Sequence, residues 1–159
     1  MKIALGADHR GTDTIAGLAA HLKTQGHEVS EAASCPGESC DYPENAWTVG
    51  QAVSRGVADR GILICGSGIG MSIAANKIPG IRAALVSDEV MAGRSRRHNN
   101  ANVLCLSADL IPIEQIIKIT EVWLETEFEG GRHARRVDKI TAIEQGIDPA
   151  TTAVESTSS

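Results

Sequence analysis

Short apolar runs alternate with longer stretches of helical period along most of the chain. Residues 2–7 read as a buried strand. Residues 12–24 follow with Ile15, Leu18, Ala19 and Leu22 on one helical face, and Gly26 stops that helix. Residues 27–32 supply a second strand, residues 33–43 a loop rich in Ser, Cys, Gly and Pro, and residues 44–55 a second helix. A third strand over 61–65 carries no polar side chain, which predicts a central place in a sheet. Beyond the glycines of 66–70 the pattern gives a short helix stopped by Pro79 and Gly80, then a strand over 81–86 and a helix over 88–97. A fifth strand over 102–106 and a long helix over 113–127 complete the alternation.

Strand and helix thus alternate through five strands. The predicted fold class is α/β: a doubly wound, Rossmann-like five-stranded parallel sheet flanked by helices, with right-handed crossovers. A last helix over 133–145 has no strand after it, and such a helix packs either on another subunit or across the domain. Residues 1–146 are expected to form one domain. Residues 147–159, which end in Thr and Ser, are expected to be a disordered tail.

Composition sharpens this picture. Of 159 residues 42% are hydrophobic but only 3% aromatic, so the core has to be built from Ala, Ile, Val and Leu, which suits a helix-covered parallel sheet. A formal charge of −5 argues against a general affinity for nucleic acid or anionic membrane. Any anion site is therefore local. Arg132, Arg135 and Arg136 surround His133, and Arg94, Arg96 and Arg97 precede His98; read alone, both groups are solvated helix surface. No apolar run is long enough to span a bilayer and none at the start resembles a signal peptide, so the expected location is cytoplasmic. Cys35, Cys40, Cys65 and Cys105 lack the paired spacing of a zinc site. Cys35 and Cys40 flank a Pro-Gly turn and could meet, but read as two loop thiols.

In an open α/β sheet ligands bind beyond the carboxyl ends of the strands. Two segments lie there: Gly6-Ala7-Asp8-His9-Arg10-Gly11 after the first strand, and Cys65-Gly66-Ser67-Gly68-Ile69-Gly70 after the third. The second sets three alternating glycines where a strand becomes a helix, so backbone N–H groups can turn toward an anion. A dinucleotide fingerprint is the rival, with Asp88 at the ribose, but the spacing is G-x-G-x-G and follows the third strand rather than the first. Cys65 is either a small buried hydrophobe or, beside open amides that favour thiolate over thiol, a general base or nucleophile. Asp8 and His9 either face Cys65 from the neighbouring first strand or serve as a helix cap and a surface histidine. His98 ends a helix that runs back from the carboxyl edge, which leaves it on the order of 15 Å from Cys65 within one chain. A site containing both would be completed by a second copy; otherwise His98 and Asn99 are helix C-capping residues.

Taken together, these residues resemble the type B ribose-5-phosphate isomerase family, which includes isomerases of allose 6-phosphate and galactose 6-phosphate. The resemblance runs from Met1 to about Gly146. It is carried by Gly6-Ala7-Asp8-His9, Cys40-Asp41-Tyr42-Pro43, Ile64-Cys65-Gly66-Ser67-Gly68-Ile69-Gly70, Ala74-Ala75-Asn76-Lys77, Gly80-Ile81-Arg82-Ala83, Arg97-His98-Asn99, and Gly130-Gly131-Arg132-His133 with Arg136-Val137. It implies a homodimer, sometimes paired into a tetramer, with the site between subunits, and a sugar phosphate as substrate without metal or other cofactor. Cys65 corresponds to the base of the cysteine-bearing branch; another branch uses a glutamate where this chain has Ile73 or Ala74. His98 would open the sugar ring, with Asp8 assisting. Ser67, Gly68, Ile69 and Gly70 would hold the enediolate oxygen, and His9, Arg132 and Arg136 the phosphate. Tyr42, Gly66 and Asn99 are further substrate positions on the matched motifs.

One departure stands out. The family usually carries an arginine two residues after a Gly at the end of the fifth strand, where this chain reads Ser107-Ala108-Asp109. A carboxylate 4 Å from a phosphate charge would oppose it by roughly 4 kcal/mol near a protein surface. Asp109 therefore implies a different substrate, a side chain turned away, or a pair with an arginine. A non-catalytic sugar-phosphate-binding module and a nucleotide-binding oxidoreductase are the alternative functions.

Overall fold

The computed structural model describes residues 1–32 and 39–151. Its elements in order are β1 (Lys2–Ala7), α1 (Thr12–Thr24), β2 (Glu28–Glu31), α2 (Tyr42–Ser54), β3 (Arg60–Cys65), α3 (Ile69–Ala75), β4 (Ala83–Leu85), α4 (Glu89–Asn99), β5 (Val103–Ser107), α5 (Ile113–Glu125) and α6 (Arg132–Glu144). The strands form one sheet in the order β2-β1-β3-β5-β4, every neighbouring pair parallel. The apolar third strand is central, with β1 on one side and β5 on the other. No helix among the described residues is long and apolar enough to cross a membrane.

Alternate side chains of the strands enter two apolar layers. Ile3, Leu5, Ile62, Ile64, Leu104 and Leu106 face Leu18 and Leu22 of α1 and Ile116, Ile119 and Trp123 of α5. On the other face Ala4, Leu63, Cys65, Val103 and Cys105 meet Ala46 and Val49 of α2 and Met71 and Ala75 of α3. Burying one such aliphatic side chain contributes about 1.5–3 kcal/mol. These layers, rather than any single polar contact, hold the ends of β1, β3 and β5 side by side.

Several boundaries differ from the sequence pattern for identifiable reasons. α2 starts at Tyr42 because Pro43 sits in its first turn, where a missing N–H costs nothing. β4 is shorter than the apolar run, and two asparagine side chains clamp its start. The Asn76 amide donates to the Ala83 carbonyl at 2.8 Å and accepts from the Ala83 N–H at 2.9 Å. Asn102 likewise accepts from the Arg82 N–H and donates to the Gly80 carbonyl, both at 2.8 Å. α4 extends to Asn99 and closes on Asn100 in the left-handed conformation (φ 47°).

α6 packs on α4 of its own chain, burying His133 and Ala142, and its Glu144 accepts from the Gly80 N–H at 2.9 Å. Residues 148–151 form a turn in which Asp148 Oδ1 accepts from the Ala150 N–H at 2.8 Å. The rest of the expected tail, 152–159, lies outside the described residues. Cys40 is disulfide-bonded, which corrects the reading of a loop thiol, and Cys35 lies outside the described residues.

Candidate functional site

The carboxyl ends of β1, β3 and β5 bring the first group of residues together. After β1 the Asp8 N–H donates to the Ile64 carbonyl at 3.2 Å, continuing the ladder to β3, and Asp8 is only 6% exposed. Its carboxylate does not cap α1, whose N-cap is Gly11; it accepts from the Arg10 N–H at 2.9 Å. His9 Nδ1 lies 3.4 Å from the Cys40 carbonyl oxygen.

Cys65 ends β3 at the edge of the α2–α3 layer and is 4% exposed. The Gly68 N–H donates to its Sγ at 3.1 Å. This requires the chain to reverse at Gly68, whose φ of 76° favours glycine; a Cβ there would also fall 2.6 Å from Leu85 Cδ1 and 3.0 Å from the Leu106 carbonyl. Ile69 N–H donates to Ser67 Oγ at 3.3 Å, so two of the four residues expected to cradle an oxyanion have their N–H groups bonded within the turn. The Tyr42 ring lies against Gly70, where a Cβ would come within 2.6 Å of Cζ. Ser107 Oγ donates to the Gly66 carbonyl and accepts from the Leu110 N–H at 3.1 Å, tying the end of β5 to the same turn. Burial pushes the Cys105 thiol up from its ordinary range, so it is a packing residue.

Arg10 and Asp109 join across this edge. Arg10 Nε donates to both carboxylate oxygens, at 3.1 and 2.9 Å, and Nη2 lies 2.8 Å from Oδ2. Of the three outcomes the sequence leaves open for Asp109, pairing with an arginine is the one found, and the partner is Arg10, which carries no expected role. Only the long-range contact reveals it, since the partners are 99 residues apart.

The second group lies elsewhere. α4 starts at the carboxyl edge, where Asp88 Oδ1 accepts from the Met91 N–H at 2.8 Å, and ends just before β5 begins. Its length of about 16 Å carries His98 to the opposite edge of the sheet. There His98 stacks on His133 of α6, ring centroids 4.2 Å apart. Arg132 Nε lies 3.5 Å from His133 Nε2, Glu129 3.6 Å from the same nitrogen, and Arg97 pairs with Glu129 at 3.7 Å. Burial, then the neighbouring His98, Arg132 and Arg136, lower the His133 pKa against the opposing pull of Glu129. One ligand atom each of His98, Glu129 and His133 falls within 4.8 Å of the others, a possible metal donor set, but the surrounding arginines oppose a cation.

Arg132 and Arg136 are exposed, as expected, whereas Arg96 is not solvated helix surface: it is 2% exposed, because its guanidinium donates to carbonyls at the end of α4 and beyond α5. Asn99 is exposed and lines a cavity of about 590 Å³ with Lys77, Arg82, Ile140, Ile143 and Glu144; Cys65 does not line it. Within one chain, then, Asp8, His9, Tyr42 and residues 65–70 converge, and His98, Asn99, Arg132 and Arg136 gather at the other end.

Residues 3–140 match the family described as Ribose/Galactose Isomerase. Ribose-5-phosphate isomerase B of Escherichia coli is 46% identical over 144 residues, covering 91% of this chain and 97% of that protein. The D-erythrulose-4-phosphate isomerase of Pectobacterium atrosepticum is 43% identical over 141 residues, covering 88% and 93%. The solved structure of Clostridium thermocellum ribose-5-phosphate isomerase B superposes with a TM-score of 0.89 at 47% identity, covering 92% of this chain and 99% of that one. The chain belongs to the Ribose/Galactose Isomerase family of sugar-phosphate isomerases.

Proposed function

We propose that this protein interconverts ribose 5-phosphate and ribulose 5-phosphate through a cis-enediolate, with Cys65 as the base and His98 of a second copy as the acid that opens the ring. The observation that carries the reading is the Gly68 N–H aimed at Cys65 Sγ at 3.1 Å, at the carboxyl edge of the central strand and one strand from buried Asp8. A donor already directed at sulfur binds a thiolate more strongly than a thiol, because hydrogen bonds to charged acceptors are roughly twice as strong.

In the proposed cycle the ring opens by protonation from His98, with Asp8 assisting. The Cys65 thiolate removes the C2 proton, negative charge moves to the carbonyl oxygen O1, the O2 hydroxyl proton passes to O1, and the thiol returns its proton to C1 as O2 becomes the ketose carbonyl. Backbone donors of residues 67–70 facing that oxygen would each supply up to about 3 kcal/mol once substrate draws them from their internal partners. The hydrogen moves within one molecule, so the reaction calls for no redox carrier. The position of His98 at the far end of α4 supports a homodimer whose sites are shared between subunits. Arg132 and Arg136, which flank the stacked histidines, would reach the phosphate with it, and His9 would meet that phosphate from the cysteine-bearing side.

A second reading keeps the chemistry and changes the sugar: Asp109 stands where the resembled family carries arginine, and one relative is a D-erythrulose-4-phosphate isomerase. Four-, five- and six-carbon aldose phosphates incubated with the protein in deuterated water, followed by NMR, test both. Interconversion with deuterium uptake at the exchanging carbon is expected, fastest for ribose 5-phosphate. Binding without exchange for every sugar would reduce the protein to a sugar-phosphate-binding module.

A further inference from the structure

Arg10 has no role in the cycle above, yet it is the cation packed against the turn that follows Cys65. β3 lies between β1 and β5, and the Arg10–Asp109 pair bridges the loops after those outer strands. It rests on Gly66: a Cβ there would sit 2.9 Å from Asp109 Oδ2 and 3.0 Å from Arg10 Nε. The side chains remain 56% and 39% exposed, and ion pairs so exposed contribute little to stability. A two-point fork instead fixes direction.

The guanidinium has five N–H donors. Asp109 engages the edge formed by Nε and Nη2, leaving the Nη1 side pointing away from the carboxylate. Among the described residues that side carries no hydrogen bond to protein, and Arg10 directly follows His9. Asp109 also raises the Arg10 pKa, first through its hydrogen bonds and then through its charge, so the fork stays cationic.

We propose that the free edge of Arg10 binds the phosphate monoester of the substrate, and that Asp109 is the positioning residue that holds the fork over Gly66. The carboxylate is then an anchor for the anion site rather than an obstacle to it. This rests on the sugar-phosphate reading above, but binding of inorganic phosphate tests it without turnover.

The experiment is a ³¹P NMR titration of the full-length protein with inorganic phosphate and with ribose 5-phosphate, alongside steady-state kinetics. Arg10→Ala is expected to weaken phosphate binding and raise KM by about 10- to 100-fold with kcat changed less than about threefold, the scale of one charge-assisted contact. Arg10→Lys should recover part of the loss. The exchange Arg10→Asp with Asp109→Arg returns a guanidinium to the same edge and should recover more than either single variant. Unchanged phosphate affinity in Arg10→Ala, or a loss in kcat alone, overturns the proposal. Weakened phosphate binding in a protein that isomerises no sugar phosphate would leave the Arg10 site standing and remove the proposed reaction instead.

Discussion

His98 and His133 lie face to face, ring centroids 4.2 Å apart and planes within 6° of parallel. One ring comes from the last turn of α4 and the other from the first turn of α6, so the stack fixes how the final helix docks. Two stacked imidazoles tolerate one another while at most one is charged. His133 is buried, and among the described residues its Nδ1 has no hydrogen-bond partner, which makes it the ring that resists protonation.

The pH dependence follows in sign. The folded His133 pKa is lowered by burial and then by His98, Arg132 and Arg136, relative to about 6.5 in the unfolded chain. In the window below that unfolded value the unfolded chain binds a proton that the fold rejects, so stability is complete above it and falls as pH drops through it. Urea denaturation at pH 7.5, 6.5 and 5.5 should show this loss, and His133→Phe should make it shallower. Parallel pH profiles for the two proteins would disprove the assignment.

Gly68 is strained for any other residue. Its φ of 76° costs an L side chain about 1–2 kcal/mol, and a Cβ would also strike Leu85 and the Leu106 carbonyl. Gly68→Ala should destabilise the protein by about 2 kcal/mol or more and reduce turnover strongly, since the Gly68 N–H loses its aim at Cys65 Sγ. A variant with wild-type melting and full activity would show that the turn does not need its left-handed residue.

How far such features can be read from sequence depends on their range. The strands and the central place of β3 were legible because the apolar runs of β1, β3, β4 and β5 are local, and the proximity of Asp8 to Cys65 follows once β1 neighbours β3. The first turn of α2 was not, because Pro43 resembles a loop residue whether it precedes a helix or opens one. Nor were the Asn76 and Asn102 clamps on β4, whose amides imitate strand backbone without altering hydrophobic period. Arg10 with Asp109 and the burial of Arg96 depend on partners 99 and 30 residues away, so no window of sequence contains them.

Arg96 illustrates the energetic consequence. It donates to the Thr126 carbonyl at 3.2 Å, to Asn100 Oδ1 at 3.0 Å and to the Ala101 carbonyl, with its guanidinium 5.8 Å from the Trp123 ring centroid. Burial, with Arg60 nearby, lowers its pKa to about 10, still cationic at neutral pH. Lysine cannot present the same planar fork, so Arg96→Lys should cost on the order of 2–3 kcal/mol in denaturant unfolding. A change below about 0.5 kcal/mol would mean those carbonyls find other donors.

The proposed sharing of the site between two copies makes the sharpest prediction. His98 is carried to the opposite end of α4 from the edge where Cys65 lies, so the proposed base and acid meet only between copies. Cys65→Ala and His98→Asn homodimers should each be nearly inactive. In a mixed dimer one site carries both substitutions, while the other combines an intact Cys65 with an intact His98. Random reassortment makes about half of the dimers mixed, each with one working site, so about a quarter of wild-type activity should return. Activity measured after unfolding and refolding the two variants together, against each refolded alone, checks this. Purified mixed dimers without activity would place base and acid in the same chain or remove one of them from the reaction.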